Sequence, residues 1–466
     1  MTAVAIATLG CRLNQVDSAD LALRLAERGL GTVDADARAD ASTPADVVVV
    51  NTCTVTARAD ASNRAVIRRL ARRHPGAPIV VTGCWAQTSP RAVAALGVDA
   101  VVGNDAKLAL PDVVLDLARR RRAARVVEPA APALAVPSTA QAEVGGGPES
   151  TSDVGIAPWD MAAPARPLVA ERARAFLKVQ DGCAHRCAFC IVPFARGVSR
   201  SLDPSVVLEQ ARYLVALGYR EIVLTGVDLG AYGRDLAVRT NLASLVRELV
   251  GIRGLRWVRL SSVLPAYFTD ELIDVIAGSE RVAPHFHIPL QSGSDSVLRA
   301  MKRPYDTRMY RALVERLAGA VPGLGLGADL IVGFPGESDA DFQATMALVG
   351  ALPFSYLHVF GYSERAGTAA ALRPGRVPAA TITRRSAAVR ALGDSKGRAF
   401  RQALRGSLQD VVVLEHRDRR TGSLVGLTGN YVEVRFDGTD ALTKTVARVR
   451  VTGVDASGAF GALVTA

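Results

Sequence analysis

The sequence predicts an α/β protein with an open, parallel α/β sheet in its N-terminal part, a partial (β/α)6 barrel in its centre and a small all-β barrel at its C-terminal end. Three observations lead to this prediction. Short apolar runs alternate with helix-like stretches over most of the 466 residues, which is typical of βαβ units. After about residue 403 the pattern changes to short alternating strands separated by turns. A chain of this length also exceeds what one hydrophobic core supports, so several domains are expected.

The first predicted domain covers residues 1–125. Its strand candidates are the runs VAIATLG, DVVVVNTC, PIVVTGC and DAVVG. Each is followed by a helix candidate, and these are SADLALRLAERG, ASNRAVIRRLARRH, SPRAVAALG and LPDVVLDLARRRR. This alternation predicts an open, mostly parallel sheet. Residues 126–170 lack periodicity and are rich in Pro, Gly, Ser and Ala, so we predict a flexible linker or insertion and assign no site to it.

The second predicted domain, residues 171–402, resumes the alternation. Its six strand candidates are FLKVQ, EIVLTGV, WVRLSS, HFHIPLQ, GADLIVGF and YLHVFGYS. Six βα units close part of a TIM-like barrel, whose active site is expected at the carboxyl ends of the strands. Residues 403–466 form the third predicted domain, the small all-β barrel.

The composition limits the cellular setting. Hydrophobic residues make up 49% of the chain and aromatic residues only 5%. No apolar run approaches the roughly 20 residues that a membrane helix needs. The N-terminal run MTAVAIATLGC also lacks the charged region and cleavage site of a secretory signal. We therefore expect a cytoplasmic protein without a membrane partner, in which grouped cysteines bind metal instead of forming disulfides.

The first predicted domain contains two Arg-rich stretches. Lys and Arg number 56 against 45 Asp and Glu, a formal net charge of +11. One helix-like stretch carries Arg58, Arg64, Arg68, Arg69, Arg72 and Arg73, and a second block carries Arg119 to Arg122 with Arg125 nearby. Such a stretch is either a solvated surface or a binding surface for a polyanion such as RNA. Charge alone does not decide between them.

All six cysteines fall into two triplets. The compact triplet, Cys183, Cys187 and Cys190, follows the first strand of the central domain in the run CAHRCAFC. Three thiolates on one loop can hold a four-iron cluster and leave one iron open for a ligand. The alternative is a structural zinc loop, for which the triplet is one thiolate short unless His185 serves as the fourth ligand.

The dispersed triplet, Cys11, Cys53 and Cys84, shares a topological position instead of a spacing. Each cysteine lies where a strand candidate ends and leads towards a helix candidate. The carboxyl ends of parallel strands converge at one edge of a sheet, so these three thiols are expected to share one cluster. A helix N-terminus also favours the thiolate form. The alternative is three unrelated buried cysteines.

The compact triplet resembles the signature of the radical S-adenosylmethionine (SAM) superfamily, CxxxCxΦC, with Phe189 in the aromatic position beside the SAM adenine. The resemblance implies that the open iron binds SAM and that one electron releases a 5′-deoxyadenosyl radical. It also implies a SAM pocket lined by Gly226, Ser262, Gln291 and Ser292. The loop 333–337 and Tyr362 are further segments of the superfamily type. Two strand histidines, His285 and His287, are expected to be packing residues and not ligands.

The contexts TLGCRLNQVDS, NTCTVTARAD and TGCWAQ resemble the N-terminal domain of the methylthiotransferases. These are radical SAM enzymes with a second 4Fe–4S cluster and a C-terminal TRAM barrel that binds RNA. The resemblance implies that the second cluster handles sulfur. One SAM methylates that sulfur, and another supplies the radical that removes hydrogen from the substrate carbon. It assigns no catalytic residue beyond the cluster ligands.

Three substrate branches compete within this family: isopentenyl-adenosine in tRNA, threonylcarbamoyl-adenosine in tRNA, and an aspartate of a ribosomal protein. The run from Gly10 to Gln15, GCRLNQ, resembles the threonylcarbamoyl branch, as does CIVPFARG. The expected partners are a tRNA anticodon loop, whose base at position 37 is modified at C2, and an electron donor such as a flavodoxin or ferredoxin. The sulfur donor stays unassigned. An alternative of another class is a non-catalytic metal-binding RNA scaffold.

Overall fold

The computed structural model describes residues 2–35, 45–126, 172–455 and 458–464. They form two compact units, which are described separately. The first consists of the described residues up to 126 together with Phe194–Gly197, and the second of residues 172–193 and the described residues from 198 onward. The predicted linker, residues 126–170, lies outside the described residues except for residue 126. Among the described residues, no helix is long and apolar enough to cross a membrane.

The first unit is a parallel five-stranded sheet with helices on its faces. In chain order its elements are β1 (Ala3–Thr8), α1 (Arg12–Glu27), β2 (Gly31–Asp34), β3 (Val47–Thr52), α2 (Ala57–Arg73), β4 (Ile79–Gly83), α3 (Cys84–Thr88), α4 (Pro90–Ala94), β5 (Ala100–Val102) and α5 (Leu110–Val126). The strand order is β2-β1-β3-β4-β5. Both faces of the central strand β3 are buried, which explains its run of four valines.

One strand and one helix boundary of this unit differ from the sequence prediction. The strand β2 was not expected, because a run of four residues, GTVD, is too short to show a period. The helix α1 begins at Arg12 and not at Ser18. Its first turns bury polar side chains, Asn14 and Asp17, so the apolar periodicity of the sequence starts too late to mark the true beginning.

The second unit begins with six parallel strands and their helices. Its elements are β6 (Ala175–Lys178), β7 (Gln180–Asp181), α6 (Val192–Arg196, which enters the first unit at Phe194), β8 (Arg200–Ser201), α7 (Pro204–Ala216), β9 (Glu221–Thr225), α8 (Leu242–Val250), β10 (Trp257–Leu260), α9 (Asp270–Ala277), β11 (His285–His287), α10 (Asp295–Ala300), α11 (Thr307–Ala320), β12 (Gly325–Val332), α12 (Asp339–Ala351), β13 (Tyr356–Gly361) and α13 (Ala379–Ala403).

Strands β6 and β9 to β13 form one open sheet of two halves, and β7 pairs separately with β8. One half has the order β10-β9-β6 and the other β11-β12-β13. Parallel bridges between Val258 and Val282 and between Ser262 and His287 join the halves. The outer face packs on the helices through one large apolar core that includes Leu224, Phe286 and Leu330. The prediction of a partial (β/α)6 barrel is thus confirmed.

The last part of the second unit is a closed barrel of five strands: β14 (Leu408–Arg417), β15 (Leu424–Thr428), β16 (Glu433–Phe436), β17 (Val446–Asp455) and β18 (Gly458–Leu463). A loop of this barrel lies against the amino ends of the strands of the open sheet. There Arg259 donates to the carbonyl oxygens of Gly429, at 2.8 Å, and Thr428, at 3.2 Å. The predicted all-β barrel is confirmed.

Candidate metal centres

The dispersed cysteines lie at one edge of the sheet in the first unit. Cys11 is the N-cap residue of α1, Cys53 directly follows β3, and Cys84 is the first residue of α3 after β4. Because β1, β3 and β4 are adjacent and parallel, their carboxyl ends converge as predicted. Gly10 lets the loop after β1 pass close to Cys53. Its φ is +99°, and a Cβ on Gly10 would collide with the Cβ of Cys53.

The thiols of this triplet are close enough to influence one another. Burial raises the pKa of Cys53 to about 11, and Cys84 and Cys11 add to the rise while the Val55 amide opposes it. Ionising the buried Cys53 thiol beside these two cysteines is therefore costly without a cation among them. A metal cluster that takes thiolate ligands supplies that positive charge, so the donor set fits such a cluster.

Buried asparagines hold the loops that carry these cysteines. Asn14 has no exposed surface, and its amide donates to the carbonyl oxygens of Leu9, at 2.7 Å, and Thr52, at 3.0 Å. Asn63 of α2 donates to the carbonyl oxygen of Cys53 at 2.6 Å. The loops after β1 and β3 are thus fixed by side chains of the helices that follow them, which keeps the triplet preorganised.

A buried charge network lies beside the triplet within the same unit. Asp17 accepts from Lys107 at 2.6 Å and from Arg196 at 3.0 Å, and Arg196 also donates to Oδ1 of Asn14 at 2.6 Å. Asn104 donates to the carbonyl oxygen of Ala195 at 2.7 Å, and its amide nitrogen lies 3.8 Å from Sγ of Cys84. Asn14, Asp17 and Arg196 lie in runs that the sequence analysis quoted, but it assigned them no role. Lys107 and Asn104 lie outside those runs and were missed.

The compact triplet lies on the loop after β6 and β7 in the second unit. Burial raises the pKa of Cys183 to about 12 and that of Cys190 to about 11. Asp228 is the next largest influence on Cys183, and Cys187 acts on both thiols in the same direction. As in the first unit, three buried or half-buried thiols at this spacing suit a cationic cluster that binds thiolates.

Arg303 contacts the compact triplet directly. Its Nη1 donates to Sγ of Cys187 at 3.0 Å, and its Nε donates to the hydroxyl of Tyr305 at 2.9 Å. Tyr305 is fixed in turn by donating to the carbonyl oxygen of Pro289. Among the described residues, the buried Nη2 of Arg303 has no hydrogen-bond partner. No sequence motif pointed to this residue, which follows Cys187 by more than a hundred positions.

Gly226 lies where β9 ends, against the side chain of Gln180. A Cβ on Gly226 would come within 2.8 Å of Oε1 of Gln180, so a larger residue there would displace that side chain. That same oxygen accepts from the backbone amide of Asp228 at 2.8 Å, while the Gln180 amide donates to the carbonyl oxygen of Gly182. Gln180 therefore joins the loop that carries the compact triplet to the loop after β9.

His185 points to a polar group at the same edge. Its Nε2 lies 2.9 Å from the hydroxyl of Tyr267 and 3.4 Å from Oδ2 of Asp228. Burial raises the pKa of Asp228, although His185 and the Tyr267 hydroxyl act against that rise. The imidazole that was considered as a fourth zinc ligand is thus engaged, through Nε2, with Tyr267 and Asp228.

Phe189 packs in the same apolar cluster as the loop 333–337 and Tyr362, two segments of the superfamily type. It packs against a small apolar cluster that includes Phe334, from the loop 333–337, and against which Tyr362 also packs. Phe334 and Tyr362 meet edge to face, with ring centroids 5.6 Å apart. The loop itself is held by Glu337, which accepts from the amide of Gly333 at 2.8 Å and from Arg385 at 2.6 Å.

The remaining predicted pocket residues occupy different environments. Ser262 is exposed just after β10 and forms a backbone bridge with His287. Gln291 adopts φ 67° and is buried, and within the described chain its Oε1 has no hydrogen-bond partner. Ser292 is buried with its hydroxyl 3.4 Å from that of Thr345, and it accepts from the amide of Ser294.

These orphaned polar atoms are consistent with a polar ligand beside the compact triplet. Buried polar groups are nearly always hydrogen-bonded, and exceptions frequently mark functional sites. Within the described residues, the Tyr362 hydroxyl and Oε1 of Gln291 join Nη2 of Arg303 as buried atoms without a partner. Gln291 and Tyr362 follow the carboxyl ends of β11 and β13, where a partial barrel binds its ligands, and Arg303 contacts Cys187.

Two family models match the chain. The model described as "Radical SAM superfamily" matches residues 177–349. The model described as "Uncharacterized protein family UPF0004" matches residues 3–103, which include the whole dispersed triplet. The two matches therefore cover the two candidate metal centres separately.

Similar proteins of known name extend over nearly the full chain. "Threonylcarbamoyladenosine tRNA methylthiotransferase MtaB" of Bacillus subtilis is 36% identical over 97% of this chain and 94% of its own length. "tRNA-2-methylthio-N(6)-dimethylallyladenosine synthase" of Frankia casuarinae is also 36% identical, over 91% of this chain and 73% of its own length. Proteins with two different named substrates thus resemble this chain at the same level of identity.

A solved structure supports the fold. The radical S-adenosylmethionine methyltransferase TsrM from Kitasatospora setae, solved with cobalamin and a [4Fe-4S] cluster, superposes with a TM-score of 0.54. The alignment covers 77% of this chain and 72% of that protein, at 17% sequence identity. At this identity the similarity concerns the fold alone.

Proposed function

The chain belongs to the radical SAM methylthiotransferase family, and we propose that it adds a methylthio group to C2 of N6-threonylcarbamoyladenosine at position 37 of tRNA. The observation that carries the proposal is the likeness over 97% of the chain to a threonylcarbamoyladenosine methylthiotransferase. The run from Gly10 to Gln15 supports the same branch, since it resembles that branch directly beside Cys11. Membership of an enzyme family also removes support for the alternative of a non-catalytic scaffold.

The two triplets have separate roles in this proposal. Cys183, Cys187 and Cys190 hold the 4Fe–4S cluster that binds SAM, and Cys11, Cys53 and Cys84 hold an auxiliary 4Fe–4S cluster. When bound, these groups supply a radical for hydrogen removal and a sulfur for insertion. The protein contributes fixed loops: asparagine side chains hold the loops of the dispersed triplet, and Gln180 holds the loop of the compact one.

The SAM pocket is proposed to lie along the carboxyl ends of the strands in the second unit. Phe189 would contact the adenine, and the backbone at Gly226 would approach the methionine amino group. Gln291 contributes a buried oxygen that has no other partner within the described chain. Ser262 is exposed at the same edge, whereas the Ser292 hydroxyl already contacts Thr345 and Ser294. Ser292 is thus the weakest member of the proposed pocket.

The surface of α2 supports a tRNA substrate. Arg64, Arg68 and Arg72 follow one another at intervals of four residues and so line one side of the helix. Arg64 lies over the Trp85 ring, 5.5 Å from its centroid, whereas Arg68 and Arg72 are exposed. Like charges at this spacing destabilise an isolated helix, so helix stability does not explain the two exposed arginines. Phosphate groups of an RNA would neutralise them. An anticodon loop is single-stranded, and its target base can be turned outward into a pocket.

Three further parts of the proposal follow from the family. The five-stranded C-terminal barrel is proposed to be a TRAM-type RNA-binding module. The electron is proposed to come from a flavodoxin or ferredoxin, and the sulfur donor stays unassigned. Because tRNA is modified in the cytoplasm, we propose that location for the protein.

A reaction with two defined substrates tests the proposal. Anaerobically reconstituted protein would be incubated with SAM, a reductant and sulfide. The substrates are anticodon stem-loops carrying either threonylcarbamoyl-adenosine or isopentenyl-adenosine. We expect mass spectrometry to detect the 2-methylthio product from the first substrate only. Product from the isopentenyl substrate alone would overturn the assignment and favour the second candidate, which the Frankia casuarinae relative supports.

Two cysteine variants test the division of labour in the same assay. Cys187→Ala should abolish both SAM cleavage and the methylthio product, because it removes a ligand of the SAM cluster. Cys53→Ala should still cleave SAM to 5′-deoxyadenosine but form no methylthio product. A Cys53→Ala protein that still made the product would contradict the role of the dispersed triplet.

A further inference from the structure

A second group of metal-binding side chains lies on the open sheet of the second unit, apart from both cysteine triplets. His287 ends β11, Asp329 lies within β12 and His358 lies within β13. These three strands are adjacent and parallel. Their neighbours Phe286 and Leu330 belong to the core between the sheet and its helices. Because side chains alternate along a strand, the three polar side chains share the opposite, concave face.

The three side chains present their ligand atoms to one point. Nε2 of His287 lies 3.0 Å from Oδ1 of Asp329, and Nδ1 of His358 lies 3.2 Å from the same oxygen. All three atoms lie within 4.8 Å of one another. A tetrahedral zinc ion with bonds of about 2.0–2.1 Å holds neighbouring ligand atoms about 3.3 Å apart. The two distances to Oδ1 of Asp329 therefore need to widen by only a few tenths of an ångström, and the two imidazole nitrogens lie within 4.8 Å of each other.

Neighbouring side chains orient the ligand on β11. The other ring nitrogen of His287, Nδ1, lies 3.0 Å from the hydroxyl of Tyr356, which also lies 2.9 Å from Nε2 of His285. His285 stacks on Tyr431 of the C-terminal barrel, with ring centroids 4.3 Å apart. Histidines that bind metal almost always use the second ring nitrogen for a hydrogen bond of this kind. Nε2 of His287 is thereby left facing Asp329.

Access to the group is from one side. His287 is buried and the Asp329 side chain is 26% exposed, whereas the His358 side chain is 56% exposed. His358 lies on β13, the end strand of its sheet. An ion can therefore enter from solvent past His358, and three protein ligands leave at least one coordination position for water or another ligand.

We propose that His287, Asp329 and His358 bind one divalent first-row transition-metal ion, with an open coordination position on the solvent side. Two imidazoles and one carboxylate form a ligand set that suits iron, zinc and related ions. The site shares no residue with the cysteine triplets or with the proposed SAM pocket, although His287 forms a backbone bridge with Ser262. Failure of the metal site would therefore leave the proposed function untouched.

Zinc binding to the cluster-loaded protein tests the site. Chelator-treated, anaerobic holoenzyme would be titrated with Zn²⁺ by equilibrium dialysis and metal analysis. We expect the His287→Ala and His358→Ala variants to bind one equivalent less than the unaltered protein. His416→Ala is the matched control, because it removes an exposed histidine of the C-terminal barrel and should lose nothing. Iron content and circular dichroism verify that each variant keeps its clusters and fold.

The thermal midpoint gives a second measure that does not depend on counting ions. A ligand that binds only the folded state raises the midpoint with its concentration. Zn²⁺ should therefore raise the midpoint of the unaltered protein and of His416→Ala, but not that of His358→Ala. Equal zinc stoichiometry and equal midpoint shifts in all of these proteins would overturn the proposal. The three side chains would then be a hydrogen-bonded network alone.

Discussion

The positively charged guanidinium of Arg303 contacts Sγ of Cys187, one of the sulfurs that we assign to the SAM cluster. Its Nη1 lies 3.0 Å from Sγ of Cys187, and Tyr305 holds the other side of the guanidinium. Hydrogen bonds to cluster sulfurs and local charge are among the factors that set the reduction potential of an iron–sulfur cluster. Because reduction adds negative charge, the guanidinium should stabilise the reduced form more than the oxidised form.

Substitution of Arg303 should therefore make the SAM cluster harder to reduce. We expect Arg303→Met to lower the reduction potential by about 30–60 mV, a difference of about 0.7–1.4 kcal/mol for one electron. Arg303→Lys keeps the charge and should shift the potential less. Redox titration monitored by electron paramagnetic resonance measures both variants. Equal potentials in all three proteins would show that the contact does not tune the cluster.

The functional role of some residues could be predicted from the sequence, and that of others could not. The six cysteines were visible because one triplet has a fixed spacing and the other repeats a position at strand ends. Arg303, Gln180 and Asn14 act through contacts that only the folded chain creates, and the residues themselves are common. His287 was expected to be a packing residue, and it is buried, but its partners Asp329 and His358 come from other strands.

At the scale of elements, Arg259 forms a buried ion pair within the open sheet and also connects that sheet to the C-terminal barrel. Arg259 of β10 donates to both carboxylate oxygens of Glu221 on β9, at 2.7 and 3.2 Å, and to two carbonyl oxygens of the barrel loop. Both side chains of the pair have no exposed surface. Burial alone would raise the pKa of Glu221, yet Arg259 and Arg174 hold it below its ordinary value.

Removal of one partner should destabilise the second unit strongly. Arg259→Met leaves the Glu221 carboxylate buried without its main partner, which costs about 3–5 kcal/mol. Urea denaturation followed by circular dichroism should show a lower midpoint. The control Arg253→Met removes an exposed arginine and should change the midpoint little. A midpoint for Arg259→Met equal to that of the control would contradict this account of the pair.

The pH dependence of this effect follows from the lowered pKa of Glu221. A carboxyl group with a depressed pKa in the folded state stabilises the protein above its unfolded pKa, which is about 4.3. That stability is lost only as the pH falls through the folded value. In Arg259→Met, burial is no longer offset by Arg259 and raises the pKa of Glu221, so the midpoint difference from the unaltered protein should grow as the pH rises through that raised pKa and level off above it. A midpoint difference that shrank as the pH rose from about 5 to 9 would contradict the assigned charge state.

Elements whose sequence has a clear hydrophobic periodicity could be predicted, whereas short or polar elements could not. The alternation of apolar runs and helices revealed the six strands of the open sheet, because buried parallel strands require continuous apolar residues. The strand β2 has four residues and gives no such signal. The start of α1 was missed because buried Asn14 and Asp17 take part in a polar network and not in the apolar core.

At the scale of the whole molecule, each of the two units carries one cysteine triplet. The fold and the family follow from the pattern of strands and from both triplets. The substrate does not, because one fold supports several substrates and specificity depends on side chains around the bound base. Relatives with different named substrates show the same 36% identity to this chain. We propose that the residues beside Cys11 distinguish the branches.

The nucleoside profile of total tRNA from a strain that lacks this gene tests the central claim most directly. Mass spectrometry of digested tRNA should show loss of the 2-methylthio derivative of threonylcarbamoyl-adenosine and accumulation of the unmodified form. The intact gene should restore the derivative, and a gene encoding Cys53→Ala should not. An unchanged threonylcarbamoyl-adenosine profile, with loss of the methylthio derivative of isopentenyl-adenosine instead, would contradict the account.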